Sequence, residues 1–278
     1  MATNHNLLGY RPGGSVLYQL SGSSKLLFFI LVSISAMVTY DTRVLLLIAF
    51  LGFLIFQMSG IKLREVRFVL RFIGIFALLN LVTVYLFSPE YGVTLYGTRQ
   101  VLWEGWGRFT LTAEQLFYLC NLGIKYFCTV PLAIVFMMTT HPSQLAASLH
   151  QLGLSYKVAY AVSLSLRYIP DLQEEFFLIR KSQEARGLEL SQKATLRQRI
   201  KGNLQIVLPL IFSSLNRIET ISTAMELRRF GKNKSRTWYM SQSWSSLDQL
   251  VLAVGLLILA LTVALMVYNG SRFYNPFV

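Results

Sequence analysis

Leu-Val-Leu-Ala-Val-Gly-Leu-Leu-Ile-Leu-Ala-Leu-Thr-Val-Ala-Leu-Met-Val-Tyr, residues 250–268, runs for nineteen residues without a charge. As a helix rising 1.5 Å per residue it is about 28 Å long, close to the ~30 Å hydrocarbon core of a bilayer. No soluble fold needs such a segment, so it sets the class: a chain that crosses a membrane. Four more apolar runs precede it, at residues 26–40, 44–58, 72–87 and 116–138. The first two are near 15 residues, about 22 Å of helix, and reach membrane thickness only if the helices begin earlier, near Leu20, with Lys25 snorkelling to the surface. Asp41-Thr42-Arg43 separates them, which makes them a tight helical hairpin.

The whole composition agrees. Of 278 residues, 54% are apolar and 14% charged, against ~25% charged in a typical soluble domain, and mean hydropathy is +0.48. The net charge of +13 reads as cytoplasmic-loop bias, not as a nucleic-acid surface. The segment 59–71 has Lys62, Arg64, Arg67 and Arg71 against Glu65, and residues 141–248 hold fifteen of the 26 basic residues. Both belong on the cytoplasmic side. Residues 88–114, a loop-like stretch with Gly92, Gly97, Gly105, Gly107, Trp103, Trp106 and Arg108, belong outside. Five spans then place the N-terminus in the cytoplasm and the C-terminus outside. Cys120 and Cys128 are packing residues with no disulfide framework or zinc spacing around them.

The expected fold is therefore all-α and polytopic: an N-terminal membrane part with four spans (1–138), a helical region at the cytoplasmic membrane surface (139–247), and a final span with an external C-terminus (248–278). In the middle region, residues 156–187 read as one helix with Pro170 inside it, which predicts a kink or break near Ile169. Residues 203–231 read as a second. Its apolar stripe runs Leu204, Leu208, Ile211, Leu215, Ile218, Ile221, Met225 in steps of three and four. Both helices end at glycine, Gly187 and Gly231, with cations nearby that suit the helix dipole. The two ends echo each other: Ser182-Gln183-Glu184-Ala185-Arg186-Gly187 and Ala224-Met225-Glu226-Leu227-Arg228-Arg229. Two cationic ends of one pattern could engage two copies of one acidic partner, a guanidinium fork matching a carboxylate. Read alone, they are equally two ordinary helix C-termini.

Further residues carry chemistry of their own. Lys125 inside the fourth span is a candidate intramembrane polar site. Asn80 and Asn121 suit hydrogen bonds between helices. Pro131 would kink the fourth span, and Pro170 and Pro209 are candidate hinges. The chain has no phosphate-binding Gly-x-x-x-x-Gly-Lys loop, so it does not hold ATP by that route. An intramembrane transferase would need carboxylates clustered around Mg²⁺, and Asp41, Asp171 and Asp248 are far apart in sequence. A secondary carrier or channel, acting without ATPases, would need charges in several spans, and Lys125 is one.

The order Thr139-Thr140-His141-Pro142-Ser143-Gln144-Leu145, Leu152-Gly153-Leu154, Leu166-Arg167-Tyr168-Ile169-Pro170, Gln183-Glu184-Ala185-Arg186-Gly187, Pro209-Leu210, Ala224-Met225-Glu226-Leu227-Arg228 and Phe230-Gly231 resembles the transmembrane T component of energy-coupling factor (ECF) transporters, the family that includes CbiQ-type subunits. The resemblance implies a non-catalytic subunit of an ABC-type importer for a vitamin or metal ion in a prokaryotic cell membrane. Its implied partners are two ABC ATPase subunits, which carry the ATP and Mg, one membrane-embedded substrate-binding S component, and the bilayer. It implies no metal or cofactor on the chain itself and no nucleic acid. Carried over, Arg186 docks one ATPase and Arg228 the other, Ala185 and Gly187 allow close approach, Glu184 and Glu226 organise the helix ends, and Ser182 and Ala224 belong to the same docking motifs. Two departures stand out: Ser182 where alanine is usual, and Arg229 where glycine is usual. The second removes the easy helix stop until Gly231 and leaves open whether Arg228 or Arg229 makes the contact.

Overall fold

The computed structural model describes residues 13–104, 109–187, 196–233, 237–238 and 242–277. Gly105, Trp106, Gly107 and Arg108 lie outside the described residues. The chain divides into two compact units. One takes the described residues of Gly9–His141 and Gln242–Val278, the other those of Pro142–Ser241.

The first unit starts with the short α1 (Val16–Gln19), then α2 (Gly22–Val38) and α3 (Thr42–Met58), which form the expected hairpin. Next come α4 (Leu63–Phe87), the one-and-a-half-turn α5 (Tyr91–Tyr96), and a ribbon of β1 (Val101–Trp103) and β2 (Leu111–Thr112). Thus residues 88–112, read from sequence as loop, contain local structure. Gly92 makes it possible: a Cβ there would lie 2.6 Å from the backbone of Glu114 and Gln115, so only glycine lets α5 approach α6 (Ala113–Thr139) this closely.

The second unit begins with α7 (Pro142–Gln151), α8 (Tyr156–Ala185) and α9 (Leu196–Leu227). The chain then returns to the first unit with α10 (Ser246–Tyr268). By length and composition α4, α6 and α10 can each cross a membrane, and α2 and α3 are shorter apolar helices of 17 residues, about 25 Å each. The five apolar helices are those read from the sequence.

In the first unit, α2 packs on α6 and α10, and α3 on α6. Their shared core is Phe28, Val32 and Ala36 from α2, Val44, Leu45 and Ile48 from α3, Cys128 and Leu132 from α6, and Ile258 from α10. Gly255 brings α10 against Phe28 and Leu31, where a Cβ would sit 3.3 Å from each. Within hydrocarbon, such close approach and interhelical hydrogen bonds replace the hydrophobic drive. Thr42 donates to Asn121 Oδ1 at 2.8 Å, and the Cys128 thiol donates to the Leu45 carbonyl at 3.1 Å. Asn80 makes no interhelical hydrogen bond among the described residues. On α4, Phe68, Phe72, Ile75, Phe76, Leu78 and Leu79 are all exposed, as suits a helix whose solvent is lipid.

Asp248 closes one end of this unit. Its Oδ2 accepts from the Ser245 amide and hydroxyl at 2.8 and 2.9 Å, completing a capping box on α10. Its Oδ1 accepts from the Ser21 amide at 2.8 Å, the Ser21 hydroxyl at 3.1 Å and the Ser24 hydroxyl. One buried carboxylate therefore satisfies the N-termini of α2 and α10, which run side by side in the same direction. In a chain of alternating spans, the first and fifth must do so. Lys25 does not snorkel outward as expected from sequence. It is buried, and its Nζ donates to the Thr139 carbonyl at the end of α6, 3.0 Å away. That inward turn is favoured because Thr139 offers an otherwise open helix-terminal acceptor. At the opposite end, the Tyr40 amide donates to the Arg272 carbonyl at 2.8 Å, and Tyr40 stacks on Phe273 with ring centroids 4.8 Å apart.

Replacing Asp248 with alanine should strand the Ser21 and Ser245 donors and remove about 3 kcal/mol of stability. Thermal melting of the detergent-purified chain, followed by size exclusion, checks this. An Asp248→Ala chain that melts with the parent would mean the shared cap does not hold α2 to α10.

Candidate functional site

The second unit is built on α8 and α9. α7 stops in a Schellman turn at Gly153 (φ +100°), whose amide donates to the His150 carbonyl while Leu154 donates to Leu149. Ser155 then caps α8 through the Val158 amide. α8 runs through Pro170 without the break that the sequence suggests, and α9 runs through Pro209. Proline lacks an amide hydrogen, so the carbonyls of Leu166 and Gln205 lose their intrahelical partners. Both candidate hinge residues therefore lie inside continuous helices.

The helices lie antiparallel. Near the start of α8, Tyr156 and Tyr160 meet Phe230, with ring centroids 5.7 and 4.6 Å away, and Trp238 and His150 complete the aromatic knot. Further along, Arg217 of α9 donates to Glu175 of α8 at 2.7 Å. The Ser213 hydroxyl donates to the other oxygen of the same carboxylate, and the Arg217 guanidinium lies 5.8 Å from the Tyr168 ring centroid. The paired side chains are only 32% and 20% exposed, which lifts them above the ordinary surface ion pair. Sequence reading passed over this latch. The available signal was Arg217, a lone cation inside the apolar stripe between Leu215 and Ile218.

Both echoed motifs fall at helix C-termini. In the first, Arg186 is the C-cap of α8 (φ −84°). Its amide donates to the carbonyls of Ser182 and Gln183 at 3.3 and 3.1 Å. Gly187 follows with φ +90°. Glu184 accepts from Arg180 Nε at 2.9 Å, one turn earlier, an exposed pair of small energetic weight. In the second, Arg228 donates to the Ala224 carbonyl at 3.2 Å, Arg229 to Glu226 at 2.8 Å, and Phe230 to Met225 at 2.9 Å. This is a Schellman closure with Arg229 in the left-handed position, φ +53°. Sequence reading has α9 continuing to Gly231 for want of a glycine at 229. The helix instead ends at Leu227, because Arg229 itself adopts the left-handed conformation at a cost of ~1 kcal/mol.

Ser182, Glu184, Ala185, Arg186, Gly187, Ala224, Glu226, Arg228 and Arg229 are all exposed. Among the described residues no carboxylate pairs with Arg186, Arg228 or Arg229. Because α8 and α9 are antiparallel, the two arginine ends point away from each other. Arg186 lies 26 residues of helix beyond Tyr160, the residue that touches Phe230, so the motifs are separated by about 40 Å. On the remaining surface Leu204, Leu208, Ile211, Leu215 and Ile218 of the predicted stripe are exposed.

Lys125 belongs to the first unit. Its Nζ donates to the Met37 carbonyl at 2.9 Å and lies 3.2 Å from the Tyr40 ring centroid, tying α6 to the end of α2. Among the described residues no group of three or more His, Cys, Asp or Glu could hold a metal ion.

Among the described residues three helices, α4, α6 and α10, are long and apolar enough to cross a membrane, and α2 and α3 are shorter apolar helices, which makes this a polytopic membrane protein. Residues 13–239 match the model of the CbiQ family, described as cobalt transport protein, and the chain belongs to that family. It is similar to the energy-coupling factor transporter transmembrane protein EcfT of Exiguobacterium sibiricum, 30% identical with 90% of this chain and 96% of the relative covered. The EcfT of Bacillus selenitireducens is also 30% identical, covering 92% and 94%. The EcfT of Lactococcus lactis is 25% identical over 92% and 95%. The protein is thus a T component of energy-coupling factor transporters, embedded in a membrane.

In a double-mutant cycle, Glu175→Ala and Arg217→Ala should show a coupling energy of about 1 kcal/mol in thermal stability. Additive losses would mean that the latch does not join α8 to α9.

Proposed function

We propose that this chain is the coupling scaffold of an ECF-type importer for a vitamin or metal ion. Two cytoplasmic ABC ATPases dock on its arginine-tipped helix ends, Arg186 on one and the Arg228–Arg229 end on the other. Their ATP-driven closure moves α8 and α9, and the motion passes to a membrane-embedded S component that carries the substrate. The single observation carrying this reading is the placement of two like, exposed arginine ends, with no carboxylate partner among the described residues, about 40 Å apart on one latched helix pair.

The rest of the chemistry follows from that arrangement. A guanidinium presents a planar fork that a carboxylate on an ATPase can take with two hydrogen bonds. Ser182, Ala185, Gly187 and Ala224 keep the approach open, and Glu184 and Glu226 arrange the helix ends. Pro170 and Pro209 let the helices flex without unfolding. The exposed apolar face of α9 offers a surface to the S component or to lipid. ATP and Mg are held by the partners, the chain itself carrying no cofactor and no catalysis. The positive-inside bias puts α8 and α9 in the cytoplasm, with the N-terminus inside and the C-terminus outside a prokaryotic plasma membrane.

Native-membrane co-purification tests the reading. The parent chain should bring down two ATPase subunits and one small membrane protein, and Arg186→Glu with Arg228→Glu should lose the ATPases. A chain that purifies alone, or that moves solute without ATPases, would overturn it.

A further inference from the structure

The first unit holds a cavity of about 360 Å³, lined by residues of the α1–α3 segment, α6 and α10 and so lying wholly within that unit. Towards Tyr40, α3 and α10 share the core through Leu45, Ile48 and Ile258. Towards Asp248 they bound the cavity instead, α3 with Leu54 and Met58 and α10 with Leu247 and Leu250. These four are exposed, while Phe28 of α2 and Leu132 and Val135 of α6 are buried. The cavity therefore opens between α3 and α10 and reaches inward to α2 and α6.

Its walls decide what can fill it. Of the described lining residues only Lys25 and Thr139 are polar. Lys25 turns its ammonium to the Thr139 carbonyl, 3.0 Å away, and offers the cavity its methylene stem. Water in a cavity needs about two to four polar partners, which this lining does not supply. An apolar cavity of about 150 Å³ stays dry and admits a benzene-sized guest. This one is more than twice as large, and left empty it would forfeit the contacts of its whole lining. The occupant must be hydrocarbon. α3 is 17 residues long, about 25 Å against a ~30 Å hydrocarbon core. The mouth at its end thus lies among lipid tails and not among headgroups.

We propose that this cavity is a lipid site: one acyl tail of a phospholipid from the cytoplasmic leaflet enters between α3 and α10 and lies against α2 and α6. The tail completes packing that the helix ends leave open. Being a flexible chain, it can follow a shift of α3 against α10 without opening a void. The site stands whether or not the ATPases dock as proposed; only its leaflet follows from the topology given above.

The test places the full-length chain, purified with the subunits that accompany it, in nanodiscs of phosphatidylglycerol carrying a mid-tail diazirine. After irradiation the labelled residues are mapped by mass spectrometry. Surrounding lipid labels exposed residues such as Phe72 and Phe76 of α4 in any case. An inserted tail should also label Leu132 and Val135, which at 4% and 5% exposure lie beyond the reach of surrounding lipid. Val251→Trp, which fills the cavity from α10, should lose the label at both and keep it on α4. Leu54→Trp, set across the mouth from an exposed position, should do the same and serves where the first variant does not fold. Label on α4 with none at Leu132 and Val135 in the parent overturns the proposal, as does label at those two positions that survives both variants. Label that reaches them only after a co-purified membrane subunit is stripped away also overturns it, since the cavity then belongs to that subunit in the assembly.

Discussion

The Glu175 carboxylate is the constraint on which the candidate site depends. It takes Arg217 at 2.7 Å on one oxygen and the Ser213 hydroxyl on the other, so two α9 side chains one turn apart grip one point on α8. α8 and α9 each contain a proline, and neither helix is covered along its length. Without a cross-link at their middle, their ends would have no defined separation. With it, and with the aromatic knot around Tyr160 and Phe230, the two helices are held in one register with an arginine at each end. A charged link suits this task because it is directional and only partly desolvated. It sets register without the broad apolar contact that would make the pair rigid.

The membrane unit solves a related problem by a related device. α2 and α10 are separated by more than 200 residues of sequence, yet each needs its N-terminal amides satisfied where water is scarce. Asp248 serves both helices with one carboxylate. Lys25, buried beside it in α2, turns its ammonium to the end of α6. Three helix ends are thereby joined by polar groups at one level, while apolar contacts around Val32, Leu45 and Ile258 fill the space beneath. The association of these helices owes little to hydrophobic drive, because lipid is as apolar as their side chains. Polar ties and close glycine contacts such as Gly255 take its place.

The two arginine ends reach one kind of helix stop with different residues. Arg186 closes α8 in an ordinary right-handed conformation and hands the left-handed turn to Gly187. At the second end the matching position is Arg229, which takes the same left-handed conformation, and Phe230 after it is held in the aromatic knot. The difference between the motifs lies in the residue at the left-handed position, glycine in the first and arginine in the second.

Much of this architecture is legible in the residues alone. Five apolar runs, two long amphipathic helices and their cationic ends follow from hydrophobic period, charge and capping chemistry, which are local properties. The family also follows, since its motifs are contiguous. What the tertiary structure decided are the pairings between distant positions: Asp248 with Ser21, Glu175 with Arg217, Lys25 with Thr139, and Phe230 with Tyr160. A lone serine or arginine carries no mark of its partner 227 or 42 residues away. Only folding brings the two together, and burial then makes each pairing obligatory, because an unsatisfied polar group there costs more than the bond is worth in water.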